Sequence, residues 1–278
     1  MILVLGSTGK IGRELVPALL DRGARVRALT RDPSRARIDP RAEVAAGDLD
    51  AFDPALLDGV ERVFVLTSGH GSDPLAQEQA VLKAAGGVSH VVKLSTTGVH
   101  FGQTDPISLV HAEAERAVRE AGPDWTILRP GTFMDNRFAW LHAVRGDGVI
   151  RVPEGDPASA LVHVRDIAEV AATVLTGDGH AGTTYPITGG EALTTRRQVE
   201  ILGDALGRRL TYVEEPEAAS RARMLEYGWP ASAVDGIFEL KRQSAGKEEI
   251  VFGTVRELLG RAPLTFADWA REHAATFA

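Results

Sequence analysis

Glycines stand three apart in Gly6-Ser7-Thr8-Gly9-Lys10-Ile11-Gly12. The run follows a short apolar stretch, Ile2–Leu5, and precedes a segment with apolar residues at helical spacing, Leu15, Leu19 and Leu20. Glycines so placed permit a tight turn, a close backbone approach to a ligand and close packing of helix on strand. The helix N-terminus behind them offers unpaired N–H groups and a favourable dipole to an anion. The chemistry this arrangement suits is the cradling of a pyrophosphate, and hence of a dinucleotide, by Gly6, Ser7, Thr8, Gly9, Lys10, Ile11 and Gly12. An acidic residue about 20 positions beyond such a loop reads the ribose of NAD. Here the second strand ends in Thr30-Arg31-Asp32. Arg31 can pair with a 2′-phosphate, which favours NADP(H) over NAD(H), while Asp32 keeps NAD open. Lys10 can add a second positive charge beside the same phosphate.

His111 and Glu115 lie four residues apart in a helical stretch, so they share one face and can touch. A carboxylate beside an imidazole raises its pKa and fixes its tautomer, which makes His111 a candidate proton donor. Ser95, a candidate catalytic and cofactor-contacting residue with His111 and Glu115, ends the fifth apolar run, at the strand edge where ligands bind in open parallel sheets. Thr67, Ser68 and Gly69 end the fourth run at the same edge and suit contact with a ribose or nicotinamide. Pro130 and Phe133 leave the sixth. Phe133, Met134, Asn136 and Phe138 form a local aromatic concentration in a chain only 6% aromatic. With Thr97 they are candidate walls of a flat apolar substrate pocket. The eight histidines are dispersed without H-x-x-x-H or H-E-x-x-H spacing, so no metal site is expected.

The elements that must position these residues follow from the pattern. Strand-like runs at Ile2–Leu5, Arg25–Thr30, Val44–Ala46, Arg62–Thr67, His90–Ser95 and Trp125–Arg129 alternate with helical segments, which predicts a doubly wound parallel sheet of Rossmann type, an α/β fold. After Pro130 the rhythm changes. The segment from Phe133 to Val144 is amphipathic, Val149–Ala160 reads as loop, Leu161–Val164 as a short strand, Arg165–Leu175 as a helix and Thr184–Thr188 as a further strand. From Thr194 onward the chain reads as mostly helical. Residues 1–132, with 161–190 returning to them, are expected to form the nucleotide-binding part. Residues 133–160 and 191–278 form the smaller substrate-binding portion.

Composition bounds the function. A length of 278 residues with 44% apolar and 25% charged residues is that of a globular chain with a full core. There is no cysteine, which excludes disulfides and a thiolate nucleophile. Thirty-one basic against 38 acidic residues give a net charge of −7, a poor match to nucleic acid or an anionic membrane. No stretch approaches a membrane span, and Met1–Leu5 is too short for a signal peptide, so a cytoplasmic protein is expected, with its oligomeric state, monomer or homodimer, left open.

The loop Gly6–Gly12, Leu29-Thr30-Arg31-Asp32, Gly47-Asp48-Leu49, Lys93-Leu94-Ser95, His111-x-x-x-Glu115, Trp125–Pro130 and Val162–Ala168 resemble the short-chain dehydrogenase/reductase superfamily. More specifically, they resemble its atypical NmrA-like branch, with triphenylmethane reductase-like and type-2 quinone reductase-like proteins. The resemblance covers most of residues 1–190 and implies cofactor contacts at Asp48 and Leu49. Ordinary members use a Tyr-x-x-x-Lys pair. This chain has only Tyr185, Tyr212 and Tyr227, none with a lysine four residues on, and His111 and Glu115 stand at the corresponding place. The expected function is NADPH-dependent hydride transfer to a small conjugated acceptor, such as a quinone or an aromatic or polyketide-like compound. The alternative the resemblance leaves open is a non-catalytic, cofactor-sensing regulator of NmrA type.

Overall fold

The computed structural model describes residues 1–67 and 73–278. Strand and helix alternate through β1 (Ile2–Val4), α1 (Lys10–Asp21), β2 (Val26–Thr30), β3 (Glu43–Ala46), β4 (Arg62–Val65), α2 (Pro74–Ala84), β5 (His90–Leu94), α3 (Thr97–His100), α4 (Pro106–Glu120) and β6 (Asp124–Pro130). The chain continues through α5 (Leu141–Arg145), β7 (Val149–Pro153), β8 (Ala158–Ser159), α6 (Val164–Thr176), β9 (Thr183–Ile187) and β10 (Leu193–Thr194). It ends with α7 (Thr195–Leu206), β11 (Thr211–Glu215), α8 (Glu217–Glu226), α9 (Ala231–Ser244), α10 (Thr254–Leu259) and α11 (Phe266–Phe277).

The main sheet has seven parallel strands in the order β3-β2-β1-β4-β5-β6-β9. This is a Rossmann-type α/β fold, followed by a largely helical C-terminal portion. Strands buried on both faces must be apolar throughout, as β1 (Ile2-Leu3-Val4) is. β5 obeys the burial but not the chemistry: all five of its residues are buried, and one of them is Lys93. One sheet face is covered by α1 and α6, through Leu15, Leu19, Ile167 and Ala171. The other is covered by α2 and α4, through Val81, Leu82 and Val118. Chain order reverses between β1 and β4, which opens a crevice at the carboxyl ends of these strands. A third apolar core gathers Trp269, Phe266 and Phe277 of α11 with Met134, Val144, Ile150 and Leu202.

The second half departs from the sequence reading in four places. Val149–Pro153 is a strand, β7, because it pairs in parallel with β11 outside the main sheet. β11 likewise interrupts the stretch read as helical. Leu161–Val164 is not a strand; it contributes one bridge, Val162 to Phe133, and then starts α6. The aromatic segment after Phe133 is a 3₁₀ stretch, Met134–Trp140, leading into the short α5. Among the described residues no helix is long and apolar enough to cross a membrane.

Candidate cofactor and active site

The glycine loop connects β1 to α1 across the crevice. Gly6 has φ of +66°, a left-handed conformation that only glycine adopts without strain, and the Gly9 N–H closes the turn on the Gly6 carbonyl at 2.9 Å. Gly12 leaves no room for a side chain, since a Cβ there would sit 2.2 Å from the Gly6 oxygen. The Ser7 hydroxyl donates to the Leu29 carbonyl at 2.6 Å and is buried. Ser7 therefore pins the loop to β2, and it does not line the cavity beside it.

A cavity of about 620 Å³ runs along the strand ends. Gly6, Thr8, Gly9, Lys10 and Ile11 form its floor, and Gly12 lies beneath them. Thr30 and Arg31 close one end, with Asp48 and Leu49 beside them. Thr67, Ser95, His111, Pro130, Gly131 and Phe133 line the other. Ser68 and Gly69 lie outside the described residues. The cavity suits a dinucleotide. The α1 N-terminus has no side-chain cap, so its N–H groups stay open to a pyrophosphate. Arg31 and Lys10 are exposed cations on the wall, and neither forms an ion pair among the described residues. Asp32 is turned elsewhere: its carboxylate accepts from the Ser34 N–H (3.0 Å) and hydroxyl (2.6 Å).

His111 lines the cavity, whereas Glu115, on the same helix, does not. Glu115 is 1% exposed. Its carboxylate accepts from Ser95 Oγ (2.6 Å), Arg119 (2.9 Å) and Arg129 through Nε (2.8 Å) and Nη2 (2.6 Å). Burial alone would raise its pKa, but the hydrogen bonds from Arg129 and Ser95 prevail and hold it below the ordinary carboxylate value. The Ser95 proton is thereby committed to a carboxylate, so toward the cavity Ser95 presents an acceptor. Beneath it, Lys93 and Glu78 pair at 2.8 Å, both buried, and Thr67 donates to the same Glu78 oxygen at 2.7 Å.

At His111 the electrostatics run against the rise in pKa expected from Glu115. Burial first, and the Lys93 ammonium second, push its pKa down to about 4, against weaker pulls from Glu115 and Asp105. The carboxylate that was to raise it is already taken by two arginines. His111 is therefore neutral at pH 7, with one N–H to donate. As pH falls, the unfolded chain takes up this proton first, near pH 6.5. The stability due to neutral His111 is therefore full above that pH and drains away toward pH 4. Wild type should lose about 2 kcal/mol more than His111→Gln between pH 7 and pH 5. Urea unfolding of both proteins at the two pH values checks this, and equal losses would contradict it.

A second chamber of about 240 Å³ adjoins the first, and Thr96, Gly131 and Phe133 line both. Thr97 and Asn136, expected in a substrate pocket, line this chamber. Met134 and Phe138 do not line either. Met134 is buried in the third core, and Phe138 packs on Trp269, His273 and Phe277 with ring centroids 5.0–5.7 Å away. The aromatic segment thus divides, with Phe133 and Asn136 toward the chamber and its larger hydrophobes toward α11. Sequence reading missed Gln77, Thr96 and Ile107 in the first chamber, and Phe101, Lys247 and Phe252 in the second. Ile107 was legible in principle, one helical turn before His111.

One cluster, His163 with Glu272 and His273, has metal-like spacing. However, His163 Nδ1 accepts from the Arg165 N–H at 3.1 Å, which leaves the proton of a neutral ring on Nε2, facing Glu272 at 3.6 Å. A nitrogen that carries a proton has no lone pair for a metal.

A phosphate-cradling loop at the switch point of a doubly wound sheet defines a dinucleotide-binding protein. Residues 6–178 match the model of a family described as NAD(P)H-binding. Over its whole length the chain is 41% identical to the (4-alkanoyl-5-oxo-2,5-dihydrofuran-3-yl)methyl phosphate reductase of Streptomyces griseus, covering 99% of that protein. It is 36% identical to an NAD(P)H azoreductase of Xenophilus azovorans, covering all of this chain and 99% of the relative. The NADPH complex of the Escherichia coli quinone oxidoreductase QOR2 superposes with a TM-score of 0.85 at 26% identity, over 98% of this chain and 99% of the other. The chain belongs to the NAD(P)H-binding family and, with full-length identity of 41% and 36% to two reductases, is an NAD(P)H-dependent oxidoreductase.

Proposed function

We propose that this chain is a reductase that uses NADPH in preference to NADH and acts on a small conjugated acceptor of quinone, aromatic or polyketide-like type. The observation that carries this reading is the single cavity joining the cations Arg31 and Lys10 at one end to Ser95, His111 and Phe133 at the other. NADPH bound here would supply a hydride; with one proton it would convert the acceptor to its two-electron-reduced form and leave NADP⁺. The chain contributes position and dryness. Arg31 and Lys10 meet the 2′-phosphate, and the loop N–H groups meet the pyrophosphate. Ser95 accepts a hydrogen bond from an amide or hydroxyl. Neutral His111 donates its N–H to an acceptor oxygen without releasing a proton of its own.

None of the three tyrosines lines either chamber. That suits acceptors whose reduced form delocalises charge and takes its proton from water. The names of two relatives, a dihydrofuranone phosphate reductase and an azoreductase, support a small conjugated acceptor. Residues 133–160 and 191–278 supply the acceptor-binding portion, against the cofactor-binding part formed by 1–132 and 161–190.

Purified protein mixed with NADPH and a panel of quinones and azo compounds should oxidise the nicotinamide, followed by its absorbance. Tight NADPH binding without oxidation across the panel would defeat the reading. Arg31→Ala should raise KM for NADPH about 10- to 100-fold, the worth of a charge-assisted hydrogen bond, with NADH little changed. An unaltered preference for NADPH over NADH would remove Arg31 from this role.

A further inference from the structure

The outer wall of the second chamber is the segment joining α9 to α10, and it is strapped in place. The Ala160 N–H donates to the Glu248 carbonyl at 2.7 Å, and the Phe252 N–H to Thr188 Oγ1 at 2.8 Å. The Glu248 carboxylate accepts from Ser159 Oγ at 2.9 Å and Thr132 Oγ1 at 3.4 Å. That acid is therefore spent on anchoring. Lys247, its neighbour, lines the second chamber and not the first, and is half-buried. Among the described residues its ammonium forms no ion pair and donates no hydrogen bond.

Other half-buried or buried cations of the chain have partners. Lys93 is neutralised by Glu78, Lys241 donates to the Pro153 and Glu154 carbonyls, and Arg137 donates to Gln198 and stacks on Trp140. An ammonium that loses part of its hydration without gaining a partner is costly, and an anion entering the chamber offsets that cost. Thr97 and Asn136, which line the same chamber, supply further donors.

We infer that the second chamber is an oxyanion subsite in which Lys247 binds a phosphate or carboxylate tail on the acceptor. Phe133, common to both chambers, forms the wall along which the acceptor passes from its charged tail to its reacting end. The assignment rests on the reading that the first chamber holds the cofactor and the reacting end. It makes the substrate class an anionic conjugated acceptor.

The test uses a matched pair: a 1,4-naphthoquinone with a propanoate tail and its primary amide. Wild type should prefer the propanoate in kcat/KM. Lys247→Met should lower kcat/KM for the propanoate about tenfold or more, as loss of a charge-assisted contact implies, and leave the amide within about twofold. Lys247→Arg should restore the preference, Lys247→Glu should abolish it, and KM for NADPH should not move. Equal effects of Lys247→Met on propanoate and amide, or no effect on either, would overturn the subsite.

Should wild type reduce neither quinone, the failure is that of the proposed reductase function, and the subsite is then judged by binding alone. Isothermal titration of the propanoate into NADP⁺-saturated protein should show about tenfold weaker binding in Lys247→Met than in wild type. An unchanged Kd would overturn it.

Discussion

Replacing Glu115 with alanine is expected to remove about 3–5 kcal/mol of folding stability and to lower the melting temperature by about 10 °C. Glu115 is the point where α4, β5 and β6 are joined by charge. Its two oxygens hold Ser95 at the end of β5, Arg129 on β6 and Arg119 one turn along α4. Arg119 is partly exposed and can rehydrate, but the Arg129 side chain is only 15% exposed and loses its counter-ion. The dominant loss is that stranded guanidinium, beside a cavity where the carboxylate stood. Glu115→Gln keeps the volume but removes the charge, so it should fall between wild type and alanine. Because the folded carboxylate titrates below its unfolded value, the stabilisation is present above the unfolded pKa. It is lost as pH falls through the folded one. Urea unfolding at pH 7 measures the effect, with an unchanged denaturant slope as the sign that both states are comparable. A loss under about 1 kcal/mol would mean that Arg129 finds another partner or water.

Glu115 also marks where sequence reading stops. Its spacing from His111 is a local fact, and local facts were legible: the glycine turn, the alternating strands and the apolar faces of α1 and α6 depend on neighbours in the chain. The partners of Glu115 are not local. Ser95 and Arg129 come within 3 Å of it only once β5 and β6 pair, and that register places both side chains over α4. The same limit split the aromatic segment. An amphipathic stretch from Phe133 to Val144 shows that one side is apolar, but α11, more than a hundred residues later, decides that Met134 and Phe138 serve the core. Lys247 carried no signal at all, because an unpartnered ammonium is recognised by what does not surround it. β7 was missed for a related reason. Five residues with a proline at the end look like loop until β11 supplies the other half of the ladder.

Gly12→Ala should weaken NADPH binding about 100-fold or more, from a single methyl group. The added Cβ would lie 2.2 Å from the Gly6 oxygen, 2.5 Å from Ser7 Cα and 2.7 Å from Ser7 C. All three are backbone atoms, so no rotamer change can relieve the contact. The loop cannot simply retreat either. Its left-handed turn at Gly6 sits against the Leu66 carbonyl, and the Ser7 hydroxyl holds it to Leu29. Something must give: α1 moves off the sheet, or the loop lifts and its N–H groups lose their aim at the pyrophosphate. Gly9→Ala is the graded comparison, with its Cβ at 3.1 Å from the Gly6 oxygen, and should have a smaller effect. Gly86→Ala, where a Cβ meets nothing within 4 Å, is the neutral control. NADPH titration followed by nicotinamide fluorescence ranks the three, and circular dichroism separates a displaced loop from a lost fold. If Gly12→Ala bound NADPH as tightly as Gly86→Ala, the loop would not be the cofactor's cradle, and the case for the whole cavity as a dinucleotide site would fall with it.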